Sequence, residues 1–193
     1  MARTNISVDE KVFDEFSDEA ERQNKTLFAF ANESLSVMAK LSAEGGTPAE
    51  VYGLWTAISL LKQVDVITLP SDFVDELIAK LYASSKEETL KMFGELGSKL
   101  VGVLKIAAAD LNDLAKLEKD LGGLLPIKQL TIRENPSKGM LEIDVVGAGR
   151  RIESTECARE FLTAIVRGYG YAVGKQETNV GTIRLWVTPR SLQ

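Results

Sequence analysis

A glycine turn followed by paired arginines, Gly147-Ala148-Gly149-Arg150-Arg151, comes nearest in this chain to a segment built for anion chemistry. Successive backbone amides and two guanidinium groups are what phosphate oxygens need. The segment lacks the spacing and the Lys-Ser/Thr pair of a Walker loop, so a strand-to-helix turn carrying two exposed arginines is the commoner case. With Lys128, Arg133 and Lys138 these arginines make the most basic region of the sequence, able to touch an anionic ligand or a nucleic-acid backbone. Nucleophilic chemistry has less to work with. The one cysteine, Cys157, excludes an internal disulfide, and the absence of histidine removes the commonest metal ligand and general base. In Ser154-Thr155-Glu156-Cys157-Ala158-Arg159-Glu160 the thiol reads as a small packing residue on a helix, with no His to activate it. No nucleophile, base or metal cluster can be assembled, so the reading is of a non-enzyme without a cofactor.

The elements that would position such groups appear when the chain is laid against itself with an offset of 61 residues. One pattern then recurs, a short strand followed by two helices, and a repeat fixes the unit of architecture. The first copy begins at Ile6-Ser7-Val8-Asp9 and the second at Ile67-Thr68-Leu69-Pro70. Thr4, Ile6 and Val8 alternate with Arg3, Asn5 and Ser7, the period of a strand with one buried face. From Val12 the apolar positions Val12, Phe13, Phe16 and Ala20 follow helical spacing, with Asp9 as the expected cap. The matching stripe in the second copy is Phe73, Val74, Leu77 and Leu81, started by Pro70 and Ser71. A turn at Gln23-Asn24-Lys25-Thr26 lets Asn24 adopt a left-handed backbone and Thr26 cap a second helix through Phe30, Ala31, Leu35 and Met38. Its counterpart restarts at Ser85-Lys86-Glu87-Glu88, with capping-box spacing, and runs through Leu90, Met92, Phe93 and Leu96.

Over about Ala2 to Leu41 this pattern resembles a ribbon-helix-helix domain, the family of the Arc, MetJ and CopG repressors. The likeness rests on the strand alternation, the acid-capped first helix, the Asn turn and the Thr-capped second helix. In that family two protomers pair their strands antiparallel, and the ribbon enters the DNA major groove with its outward side chains. The resemblance therefore implies that Arg3, Asn5 and Ser7 face double-stranded DNA, Arg3 suited to guanine, Asn5 to adenine, and Ser7 tolerant. It also implies that Lys25 and the amides after Thr26 anchor a phosphate.

Two features pull the other way. Residues 1–41 hold five Lys/Arg against eight Asp/Glu, net −3, whereas DNA affinity comes largely from neutralising phosphates. In the second copy the outward residues become Val64, Val66 and Thr68, which can read few base edges, with Asp65 on the face that should be core. The ribbon then forms either between two chains, giving a homodimer or higher oligomer suited to a palindromic site, or between the two copies of one chain. A strand and two short helices bury too little surface alone, so one pairing is nearly forced.

Between the copies Gly45-Gly46 breaks the chain. Thr47-Pro48-Ala49-Glu50 then starts a helix with Val51, Leu54, Trp55, Ile58 and Leu61 as a core or dimer stripe. Leu100 to Leu125 reads as further helix, with Leu111, Leu114 and Leu117 on one side and Gly122-Gly123 closing it. Residues 126–193 carry ten Lys/Arg and seven Asp/Glu, net +3. There Ile127–Ile132 and Met140–Val146 alternate like strands around Asn135-Pro136-Ser137-Lys138-Gly139. A helix capped by Ser154 or Thr155 runs through Phe161, Leu162, Ile165 and Val166. After Gly168-Tyr169-Gly170-Tyr171 a strand at Thr182 to Val187 ends the module. The order is ββαβ.

This module is faintly similar to the small-molecule-binding half of vinyl-reductase-like and haem-nitric-oxide-like sensor domains, in which a helix and a Gly turn precede a final paired strand. It lacks the histidine of a haem ligand and the cysteines of many vinyl-reductase-like domains, so the resemblance implies a small-molecule effector rather than either cofactor.

The fold class expected is α+β, with a ribbon-helix-helix region at 1–45, a helical region at 46–125 and the ββαβ module at 126–193. No stretch is long and apolar enough to span a bilayer and the N-terminus lacks an apolar signal region, so the expected location is cytoplasmic and no membrane partner is expected. The function expected is a DNA-binding transcriptional regulator with a C-terminal sensor or assembly module. The rival from another class is an interaction protein that keeps the scaffold for oligomerisation and has lost DNA binding.

Overall fold

Capping chemistry sets most helix starts in the computed structural model, which describes residues 5–63, 69–120, 127–135 and 139–190. Asp9, in extended backbone, accepts a hydrogen bond from the Lys11 amide at 3.0 Å and starts α1 (Glu10–Arg22). Asn24 takes a left-handed φ of 54°, which turns the chain, and Thr26 caps α2 (Leu27–Ala43) by accepting from the Ala29 amide. α3 (Pro48–Gln63) opens on a reciprocal capping box. In it Thr47 donates its amide to Glu50 at 2.7 Å and its hydroxyl oxygen accepts from the Glu50 amide at 3.3 Å.

The chain divides into two compact units, Met1–Val51 and Tyr52–Gln193. In the first, α1 and α2 stack Phe16 on Phe30 with ring centroids 4.5 Å apart. Ala20 is the one buried residue of these two helices. Residues 5–9 belong to no helix and make no ladder within the described residues. The second unit joins α4 (Ser71–Ser84), α5 (Lys86–Ala107) and α6 (Leu111–Asp120) to a sheet of β1 (Gln129–Asn135), β2 (Met140–Ala148), β3 (Tyr171–Asn179) and β4 (Gly181–Pro189). α7 (Ile152–Gly168) connects β2 to β3, and the antiparallel order is β1-β2-β4-β3. The chain is α+β.

One face of the sheet makes the core. Ile143, Val145, Ile183, Leu185 and Val187 alternate inward and pack with Val166 of α7 and Leu111 of α6. The far side of α7 meets α5 where Gly97 leaves no side chain. A Cβ there would overlap the Phe161 carbonyl oxygen and stand 3.1 Å from Ala164 Cβ. Glu118 accepts from the Leu130 amide at 3.3 Å, so α6 covers a donor on the β1 edge.

Three expectations are corrected. The module is ββαββ, because Tyr171–Asn179 forms a strand that hairpins through Val180-Gly181 onto β4. Its polar half, Gly174-Lys175-Gln176-Glu177, hides the alternation, and the ladder shifts register there. The helix expected over Leu100–Leu125 is two, since Asp110 accepts from the Asp113 amide at 2.9 Å and starts α6 afresh. Neither Ser154 nor Thr155 caps α7, which begins at Ile152 with Arg151 as N-cap and no side-chain bond. Thr155 instead donates to the Arg151 carbonyl and accepts from the Gly181 amide, tying α7 to the last hairpin.

Of the expected strand-helix-helix repeat, the first helices correspond, but residues 5–9 form no strand among the described residues, and the copies part at the turn. α1 and α2 are joined by four residues, Gln23 to Thr26, whereas Ser85 alone joins α4 to α5. Ile67, Val64, Asp65, Val66, Thr68, Gly122, Gly123 and the turn residues 136–138 lie outside the described residues. Among the described residues no helix is long and apolar enough to cross a membrane.

Candidate functional site

Of the residues expected to face DNA, Asn5 and Ser7 are exposed on the extended stretch before α1, and Arg3 lies outside the described residues. Ile6 and Val8, the expected inward set, are exposed at 65% and 55%. Neither the ladder nor the apolar cover expected of that strand is made among the described residues of the chain. Lys25 stands at the start of α2, its ammonium 2.5 Å from Glu33 and 5.7 Å from the centre of the Phe30 ring. Thr26 spends its hydroxyl on the helix cap, accepting from the Ala29 amide at 3.2 Å. The acids of α1, among them Glu10, Asp14, Glu15 and Asp18, make the neighbouring surface negative.

The basic residues of the C-terminal module do not converge. Lys128 donates its amide to the Val146 carbonyl at 2.8 Å, so it sits at the end of the sheet that leads into Arg150 and Arg151. Arg133 is paired across the sheet with Glu142, roughly 16 Å along β1 from Lys128. Its guanidinium bonds Asp144 at 3.2 Å, and Arg184 reaches Asp144 at 2.6 Å and Glu142 at 3.1 Å. These arginines are neutralised in a network on the outer sheet face. Lys138 lies outside the described residues.

The Gly147–Arg151 turn holds an anion of its own. Asp75, buried on α4, accepts from the Arg150 amide at 3.1 Å, and the Arg150 guanidinium pairs with Asp72. A carboxylate thus fills the place where a phosphate would dock on the turn, and Glu153 adds a second negative charge in the first turn of α7. Arg151 remains exposed. The arrangement fastens α4 to the β2–α7 corner.

Glu156 makes a second fastening. It accepts from the Tyr82 hydroxyl and pairs with Lys86 at 2.8 Å, joining α4, α5 and α7. The Lys86 ammonium and then the Tyr82 hydroxyl hold the Glu156 carboxyl below its ordinary range, while Glu156 helps push Lys86 up to about 12. Cys157, beside it, is fully buried, and burial together with Glu156 and Glu160 pushes its thiol up to about 11. It is a packing residue in a setting that suppresses thiolate.

Sequence reasoning passed over the outer sheet face around Trp186. A shallow groove of about 350 Å³ there is lined by Met140, Gly174, Lys175, Trp186 and Thr188. The Lys175 ammonium lies 4.7 Å from the indole centre. The signal was available, because Trp186 alternates with the buried Leu185 and Val187 and so must point to the uncovered face. No protein-family model matches this chain, and no curated protein and no solved structure matches it either.

Proposed function

We propose that the chain is a DNA-binding regulator of the ribbon-helix-helix type, acting as a dimer, with its second unit serving as a sensor or assembly module. The observation that carries the reading is the incompleteness of the first unit. Two capped helices joined by a left-handed Asn24 turn bury one residue between them and leave Ile6, Val8, Val12 and Phe13 open to solvent. A second copy, its strand antiparallel to the first, supplies the missing ladder and core and turns Asn5 and Ser7, with Arg3, to one face. Lys25 and the α2 terminus then stand where a phosphate is held. In the second unit the groove beside Trp186 offers an aromatic wall to an effector.

Titration of the intact protein against duplex DNA tests the reading. Arg3→Ala is expected to cost roughly 1–3 kcal/mol on a specific site and to relax preference at one base pair. Lys25→Ala is expected to weaken binding to all sequences and flatten the salt dependence. The acidic surface of α1 and the Lys25–Glu33 pair favour a second reading, an interaction scaffold that uses the same dimer without DNA. Absence of any binding at about 50 mM salt, where phosphate contacts are strong, selects the scaffold.

A further inference from the structure

The second unit leaves a helical stripe uncovered that the DNA reading does not use. Leu69, just before α4, and Phe73, Leu77 and Leu81 on it recur every four residues, and each is between 40 and 55% exposed. Met92 and Leu96 repeat the spacing on α5 with similar exposure. The opposite side of α4, with Asp75 and Ile78, is the one buried against the unit. Apolar side chains half exposed in a row cost free energy in water, and the largest patch on a monomer is usually about 300–600 Å².

We propose that α4 is an interface between two copies of this chain, paired antiparallel about a two-fold axis near Leu77. Such an axis sets Phe73 of one copy against Leu81 of the other and Leu77 against itself, so the stripe is its own complement. The flank is self-complementary too. Glu76 and Lys80, both exposed, make no ion pair among the described residues of the chain. The same axis brings Glu76 of each copy opposite Lys80 of the other, because the midpoint of 76 and 80 falls within a residue of the midpoint of 73 and 81. The four half-exposed side chains of the α4 stripe offer on the order of 350 Å² per copy, so pairing buries on the order of 700 Å², the size of a weak, concentration-dependent association. The pairing is separate from the N-terminal ribbon and holds whether or not that ribbon reads DNA.

Cross-linking the full-length chain tests it. Leu77→Cys is expected to oxidise to a covalent dimer under mild conditions, with the buried Cys157 taking no part. Lys91→Cys, exposed on the other side of α5, is expected to stay unlinked. By sedimentation equilibrium Glu76→Lys is expected to weaken self-association about tenfold, and adding Lys80→Glu is expected to restore it, which a folding defect would not produce. A Leu77→Cys chain that stays unlinked at concentrations where the protein self-associates overturns the proposal. So does protection of α4 from hydrogen exchange that is unchanged on dilution to monomer, since the stripe is then covered by another segment of the same chain.

Discussion

Replacing Gly97 by alanine sets two effects of known size against each other. In a helix interior alanine is favoured over glycine by about 1 kcal/mol. At this place, however, the new Cβ overlaps the Phe161 carbonyl oxygen and stands 3.1 Å from Ala164 Cβ. Both obstacles belong to α7 backbone or to an atom fixed to it, so no side chain can swing aside. Relief requires α5 and α7 to part along the tightest helix contact of the second unit, and overpacking of this kind costs about 1–3 kcal/mol. With a backbone atom as the obstacle the upper part of that range applies, leaving a net loss of roughly 1–2 kcal/mol, or a Tm lower by about 2–8 °C. The same helix supplies the control. A Cβ on Gly94 or on Gly102 meets nothing within 4 Å, so alanine at either is expected to stabilise by up to about 1 kcal/mol. Urea unfolding of the four proteins by far-UV circular dichroism gives the midpoints and slopes. A Gly97→Ala midpoint as high as that of Gly94→Ala would refute the close crossing.

Three further outcomes follow from the fastenings of α4 and α7. Asp75→Ala leaves the Arg150 amide without its acceptor and is expected to lose about 1–2 kcal/mol in urea unfolding, whereas Asp72→Ala removes an exposed pair and is expected to change stability by about 0.5 kcal/mol or less. The Glu156 carboxyl is held below its unfolded value, so its contribution is present above that value and lost as pH falls through the folded one. The urea midpoint should drop on acidification below the ordinary glutamate range, and Glu156→Gln should drop less; parallel pH profiles would contradict this. Cys157, with its thiol pushed up to about 11, is expected to react with a thiol reagent at pH 8 only as fast as the module unfolds, and a rapid reaction in the native protein would place it outside the core.

The elements that punctuate themselves locally were readable from sequence. Asp9, Asn24, Thr26, Thr47 and Ser85 each act through hydrogen bonds or a backbone angle within four residues, and each does in the structure what its type predicts. Elements that depend on distant partners were not readable. β3 is a strand because β4 pairs with it, although Gly174 to Glu177 carry no alternation. Thr155 has a capping residue's chemistry, yet the Gly181 amide claims its hydroxyl from another element. Asp110 was the exception, a legible cap overlooked inside a long apolar-periodic run.

The candidate site follows the same division. That Arg150 and Arg151 follow a glycine turn is local and visible; that Asp72 and Asp75, more than seventy residues earlier, occupy the turn is a property of the fold alone. The outer-face arginines likewise look free in sequence and are neutralised by Glu142 and Asp144 once β1, β2 and β4 align. The basic character of residues 126–193 is therefore partly internal, and net charge alone does not direct that module to DNA. Near the N-terminus the argument reverses. There the surface is acidic in sequence, and in the ribbon proposed above two copies of Arg3, Asn5 and Ser7 would share one narrow face. Recognition would then rest on the potential along that face, which falls off within a Debye length of about 8–10 Å, and not on the charge of the whole unit.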